Sequence, residues 1–190
     1  MKILMISGDN GIMDETSEVH ERMMSYAAVC DELHIIVLSG HADMPHAYGN
    51  LFVYPAKGNR VARRINAYRA ARLIAMRYSI DVVTAQSPDE LGLIAHMVAR
   101  SIHARLQLQV HTDIMSRWYR RAGIMPRMKY ILARFLLPRA DCVRVVSRRI
   151  AGIDEKIAMH LGDLRAADAE AAHPGRIDQL PGAVARRVLE

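Results

Sequence analysis

The sequence predicts an α/β fold: a mostly parallel sheet with helices on both faces. Three observations predict it. Short apolar runs rich in β-branched residues alternate with segments of helical spacing along the chain. The runs are apolar nearly throughout, as strands covered on both faces are, rather than at every second residue. Polar or glycine-bearing clusters follow the runs, at the strand ends where such sheets bind ligands.

Each element has its own warrant. Lys2 to Ser7 reads as a buried strand closed by Gly8-Asp9-Asn10-Gly11, a strong turn signal. Ser17 to Cys30 places Val19, Met23, Tyr26, Ala27 and Cys30 at helical spacing. Thr16 or Ser17 caps that helix, with Glu18 and Glu21 near its positive end. Leu33 to Leu38 is a second strand, followed by a polar loop holding Pro45 and Gly49. Leu51 to Tyr54 is a brief strand, and Val61 to Tyr78 a long basic helix. Ile80 to Thr84 is a strand, and Pro88 to Ile102 a helix with Pro88 in its first turn. Leu106 to Val110 is a strand ending at His111, and Met115 to Leu137 is helical with a break near Gly123 and Pro126. Cys142 to Val146 is the last clear strand, ending in Ser147, and Arg148 to His160 reads as helix.

Composition narrows the functional classes. The 190 residues fit one domain, 1–160, with a tail over 161–190. No apolar run is long enough to span a bilayer, and the N-terminus lacks the pattern of a signal peptide. The expectation is a cytoplasmic protein with its native start. Cys30 and Cys142 sit in apolar segments without a Cys-x-x-Cys partner, so both read as buried free thiols. His41 and His46 flank Pro45 with no further ligand in reach, so no metal site is expected.

The net charge of +6 points to an anionic partner, and its placement says more than its size. Arg60, Arg63, Arg64, Arg69, Arg72 and Arg77 occur with no acidic residue between them. The same holds for Arg117, Arg120, Arg121, Arg127, Lys129, Arg134 and Arg139, interleaved with Trp118, Tyr119, Tyr130 and Phe135. A basic segment bearing aromatics suits the interface of an anionic membrane; the plain alternative is a solvated helix face. Nucleic acid is disfavoured, because aromatics are only 5% of the chain and no nucleic-acid motif is present.

Five segments in order resemble glycosyltransferase family 4. They are Met1 to Gly8, Asp81-Val82-Val83-Thr84-Ala85-Gln86-Ser87-Pro88 with Gly92 beyond it, Gln107-Leu108-Gln109-Val110-His111-Thr112-Asp113, Ala140-Asp141-Cys142-Val143-Arg144-Val145-Val146-Ser147, and Ile177-Asp178-Gln179-Leu180-Pro181-Gly182. The resemblance implies a Rossmann-like domain, one half of the two-domain GT-B architecture, on the acceptor side. It implies a retaining transfer of a hexosyl group from a nucleotide sugar to a saccharide or lipid-linked acceptor. No cofactor beyond that co-substrate is implied. The acidic pair and basic residues by which the family's second domain holds the nucleotide diphosphate are not in this sequence. The reading is therefore of a half that needs a separate C-terminal partner or self-association. The runner-up is a non-catalytic module that docks on membranes or binds acceptors. A phosphate-accepting receiver domain is disfavoured, because no acceptor aspartate ends the strand Leu33 to Leu38.

By this resemblance His111 contacts the donor sugar and helps stabilise positive charge at the anomeric carbon; the plain alternative is a loop histidine bonded to backbone. Thr112 and Asp113 shape its loop, and Asp113 is a candidate to orient the ring. Gly8, Asp9, Asn10 and Gly11 are expected to bring backbone N–H groups to a phosphate or the acceptor. Ser17, Glu18, Gln86 and Ser147 complete the expected substrate-binding set. Arg117, Trp118, Arg120, Arg121, Arg127 and Lys129 are the expected membrane surface, at the inner face of the membrane.

Overall fold

A computed structural model describes residues 1–39, 44–112, 114 and 116–145. The expected helix over 148–160, Ser147, Asp113, His41 and the segment from Ile177 to Gly182 lie outside the described residues.

Strand β1 (Lys2–Ser7) lies at the centre of the sheet. On one side run β2 (Glu32–Val37), β4 (Leu51–Pro55) and β3 (His46–Tyr48); on the other β5 (Val82–Ala85), β6 (Arg105–Val110) and β7 (Cys142–Val145). The order is β3-β4-β2-β1-β5-β6-β7, and every pairing is parallel except β3 with β4. Chain order reverses between β1 and β5, so the crevice at the carboxyl ends of these two strands is the topological switch point.

The two faces bury different residues, because side chains alternate along each strand. Helix α1 (Glu18–Ala27) covers one face with Met23 and Ala27, against Met5, Leu33, Ile35, Val37 and Val53. Helices α2 (Arg60–Arg77), α3 (Glu90–Ile102) and α5 (Ile124–Leu136) cover the other, against Leu4, Ile6, Ile36, Val83 and Leu108. The short helix α4 (Arg117–Arg121) precedes α5.

Local chemistry sets the boundaries. Ser17 caps α1, accepting from the His20 N–H at 3.0 Å, and Asn59 caps α2 through Val61 and Ala62. Asp89 caps α3 through the Leu91 N–H at 3.1 Å. Pro88 thus lies before the cap rather than in the first turn, because the Asp89 carboxylate competes better for the free N–H groups than a proline that only presets φ. Pro126 does not break α5; it sits in the first turn, where its missing N–H costs nothing, and the break falls at Gly123 with φ 143°. The loop with Pro45 and Gly49 contains a strand after all. Gly49, at φ 61°, turns β3 back onto β4 in a short edge hairpin.

Cys142 corrects an expectation: it is exposed, whereas Cys30 is half-buried. Cys142 opens β7 on the polar face of the strand, beside the Gln107 amide at 3.9 Å.

Gly92 has a packing reason. A Cβ there would lie 2.9 Å from the Ser87 carbonyl oxygen and 3.1 Å from Leu136 Cδ1. The missing side chain lets α3 close onto the turn after β5.

Candidate functional site

A crevice of about 280 Å³ opens at the carboxyl ends of β5, β6 and β7 on the α1 face. It is lined by Met5, Arg22, Met23, Tyr26, Gln86, Gln109, His111 and Arg144. Its polar wall follows from strand periodicity. Val83, Leu106, Leu108 and Val110 point into the core under α3 and α5, so Thr84, Gln107, Gln109 and Arg144 share the opposite face.

These side chains form a directional hydrogen-bonded row. Thr84 donates its hydroxyl to Gln107 Oε1 at 3.1 Å, and its oxygen takes a long bond of 3.5 Å from Gln109 Nε2. That turns Gln109 Oε1 toward His111, whose Nε2 lies 3.2 Å away. An amide oxygen can only accept, so Nε2 carries the ring proton and Nδ1 is the acceptor of the neutral ring. Crowding by the protein, then the charges of Arg144 and Arg22, hold the His111 pKa below its ordinary value. At neutral pH the uncharged ring is the major form.

The opposite wall comes from α1. Arg22 and Tyr26, four residues apart, share one helix face. The Tyr26 hydroxyl accepts from Arg144 Nη1 at 3.1 Å, and the guanidinium lies 5.6 Å from the ring centroid. At the switch point itself, buried Ser7 donates to Gln86 Oε1 at 2.5 Å. That leaves the Gln86 amide N–H groups as the donors on this wall. The site therefore offers two guanidiniums, amide donors and one neutral imidazole acceptor. This set suits a sugar hydroxyl beside a phosphate or carboxylate.

His111 and Gln86 line the same crevice, and Thr112 is exposed beside His111. The first loop does something else. Asp9 accepts from the Gly11 N–H at 3.0 Å and opens a 3₁₀ turn over Asn10–Met13. The Gly11 carbonyl accepts from the Ser17 hydroxyl. Gly11 and Ser17 thus close a local network, and Glu18 is an exposed first-turn residue. Gly8 lines a different crevice, on the opposite face of the sheet, together with Lys129.

Ser7, Arg22, Tyr26, Gln109 and Arg144 were not singled out by the sequence. A signal existed for two of them. Gln107, Gln109 and His111 recur at every second position of an otherwise apolar strand, which marks one polar face. Cys142 and Arg144 repeat it on β7. Nothing in the sequence alone brings Arg22 and Tyr26 to that face.

The basic segment folds as expected, but its apolar residues face outward. Ile124, Met128, Ile131 and Phe135, spaced by four, three and four, are all exposed, and Trp118 on α4 is 81% exposed. The inward face of α5 carries Lys129, Ala133 and Leu136. Arg120, Arg121, Arg127, Tyr130 and Ile131 line a crevice of about 620 Å³ beside that row, with Arg120 4.9 Å from the Tyr130 ring centroid. Among the described residues no helix is long and apolar enough to cross a membrane. No group of three His, Cys, Asp or Glu among them is placed to hold a metal ion.

The fold and crevice together define a Rossmann-like α/β domain with a polar site at its switch point. The fold is shared with a solved structure. The UDP-GlcNAc 2-epimerase from Methanocaldococcus jannaschii superposes with a TM-score of 0.53 at 12% identity, over 85% of this chain and 44% of its own. The chain thus spans less than half the length of that enzyme. The oxidoreductase ylbE from Lactococcus lactis aligns with a TM-score of 0.43 at 12% identity, over 76% of this chain and 67% of its own. No protein-family model matches the sequence, and no curated protein does.

Proposed function

We propose that this chain is the acceptor-side half of a glycosyltransferase of the family 4 type, and that its switch-point crevice receives the sugar end of a nucleotide sugar. The observation that carries the reading is the joining of His111, Gln109, Gln86, Arg22 and Arg144 around one crevice at the carboxyl ends of the strands. The epimerase that shares the fold is named for UDP-GlcNAc, which agrees with a nucleotide-sugar ligand.

In this reading neutral His111 accepts a hydrogen bond from a sugar hydroxyl and Gln86 donates one. Arg22 and Arg144 offset the charge that grows on the sugar-proximal phosphate as its bond to the anomeric carbon breaks. A second domain or chain holds the nucleotide and the rest of the diphosphate. The acceptor is a saccharide or a lipid-linked sugar. The reading predicts no release of nucleoside diphosphate by the purified chain alone across a panel of nucleotide sugars, with or without anionic liposomes. Multiple turnover by the chain alone would show that a complete donor site is present, and would overturn it.

A second reading has its own support. The outward row of Ile124, Met128, Ile131 and Phe135, with Trp118 exposed and arginines alongside, fits a surface that docks on anionic membranes. It is compatible with a lipid-linked acceptor and stands without catalysis.

A further inference from the structure

A second crevice, of about 290 Å³, opens on the opposite face of the sheet, beyond the ends of β1 and β2. Gly8 and Leu38 form its floor, and its sides are the first turns of α2 and α3 together with Lys129 of α5. We infer that this crevice binds a phosphate ester with a small polar substituent, held by Arg60 and Arg63. The inference uses none of the switch-point residues and does not rest on the transferase reading.

Charge is the first argument. Arg60, Arg63, Arg64 and Lys129 face Asp89 and Glu90. Arg64 pairs with Glu90 at 2.5 Å and Lys129 with Asp89 at 2.8 Å. Both carboxylates are thereby taken. Among the described residues Arg60 and Arg63 have no carboxylate within ion-pairing distance. Arg63 is nonetheless oriented: its Nη1 donates to the Leu38 carbonyl at 3.3 Å, which fixes the guanidinium on the crevice wall.

Position is the second argument. Three arginines crowd the start of α2, which has no acidic residue in its first turn. Cations at the positive end of a helix dipole are unfavourable. The Asn59 side chain already accepts from the Val61 and Ala62 N–H groups, at 3.2 and 2.9 Å. The surplus charge therefore sits on side chains, where a bound anion relieves it. Paired guanidiniums favour phosphate over a spherical anion, because the planar fork matches two phosphate oxygens. The volume lies at the small end of ligand pockets, so the ester is of glycerol or monosaccharide size.

The phosphate has two sources of the same chemistry: a soluble phosphorylated metabolite, or a headgroup presented at a membrane. Calorimetric titration of the purified chain with glycerol 3-phosphate, and with sulfate as the control anion, reads the first. Flotation of the Arg120→Gln, Arg121→Gln variant, which lacks two basic residues of the outward α4–α5 surface, with vesicles of phosphatidylcholine carrying phosphatidic acid reads the second. The expected result is binding in one arm, weakened at least about tenfold in the double variant Arg60→Gln, Arg63→Gln. The double variant Arg69→Gln, Arg72→Gln should keep the soluble affinity, because those exposed residues of α2 lie outside the crevice. Circular dichroism should show the first variant folded, since it removes unfavourable charges from the helix start. Three results would overturn the inference: no binding in either arm, affinity unchanged by Arg60→Gln with Arg63→Gln, or sulfate bound as well as the ester.

Discussion

Alanine for glycine inside a helix ordinarily stabilises, by about 0.5–1 kcal/mol, because glycine loses more backbone freedom on folding. At position 92 the sign should reverse. The added Cβ would sit 2.9 Å from the Ser87 carbonyl oxygen, 3.1 Å from Leu136 Cδ1 and 3.3 Å from Leu108 Cδ2. The first neighbour is backbone and cannot swing aside. Leu136 and Leu108 are fully buried, so their side chains have no free space to enter. Overpacking of this kind costs roughly 1–3 kcal/mol, which outweighs the propensity gain. The net loss is about 0.5–2 kcal/mol, or roughly 2–6 °C in Tm for a chain of this size. Thermal unfolding of Gly92→Ala, followed by circular dichroism at 222 nm, measures it. Gly8→Ala is the control, since its Cβ meets only Leu91 Cδ1 at 3.6 Å. An unchanged or raised Tm for Gly92→Ala would refute the packing argument.

Other expectations follow from buried charge and exposed surface. Burial lowers the pKa of His34, against the pull of Glu32 at 3.1 Å, so the folded ring resists protonation. The unfolded chain then binds the extra proton first, and stability should fall as pH drops through about 6.5 toward the lower folded value. The replacement His34→Leu should flatten that slope in Tm against pH. Asp89 gives a pH dependence of the same sign by a different balance: burial pushes its pKa up, but Lys129, Ser87 and the Leu91 N–H together outweigh it and hold the carboxyl below its usual range. Its contribution is present above pH of about 4 and lost as pH falls through the depressed folded value. Lys129→Met should cost about 1–2 kcal/mol by urea unfolding at pH 7, less than a fully buried pair because Lys129 is one third exposed. Trp118 is the chain's one tryptophan and is exposed, so its emission reports docking directly. Phosphatidylglycerol vesicles should shift it to the blue and phosphatidylcholine vesicles should not; equal shifts would remove the electrostatic half of the membrane reading.

The parallel sheet was legible because its signals are local. The apolar runs Ile3 to Ile6 and Leu33 to Leu38 read as strands covered on both faces. The edge strand His46–Tyr48 was not legible, since His46 and Ala47 are exposed and its three residues carry no apolar pattern. His111 and Gln86 were legible as strand-end residues. Their partners were harder. Gln109 lies inside a strand that reads as core, and Arg22 and Tyr26 reach the crevice only through the packing of α1 on the sheet. The first loop was legible as a turn, but its internal bonds were not. Its glycines and Asp9 look like an anion cradle, but Asp9 spends its carboxylate on the Gly11 N–H, and Gly11 its carbonyl on Ser17.

Saturation-transfer NMR of the purified chain with a panel of nucleotide sugars shows whether the crevice receives the sugar end of a donor. An acceptor-side half that meets only the sugar end should saturate the hexosyl protons of at least one donor, and leave the base and ribose protons weak. Arg144→Ala and His111→Ala should abolish the effect without lowering Tm by more than a few degrees. Hexosyl signals absent for every donor, or undiminished in both variants, would contradict the account. So would saturation centred on the base.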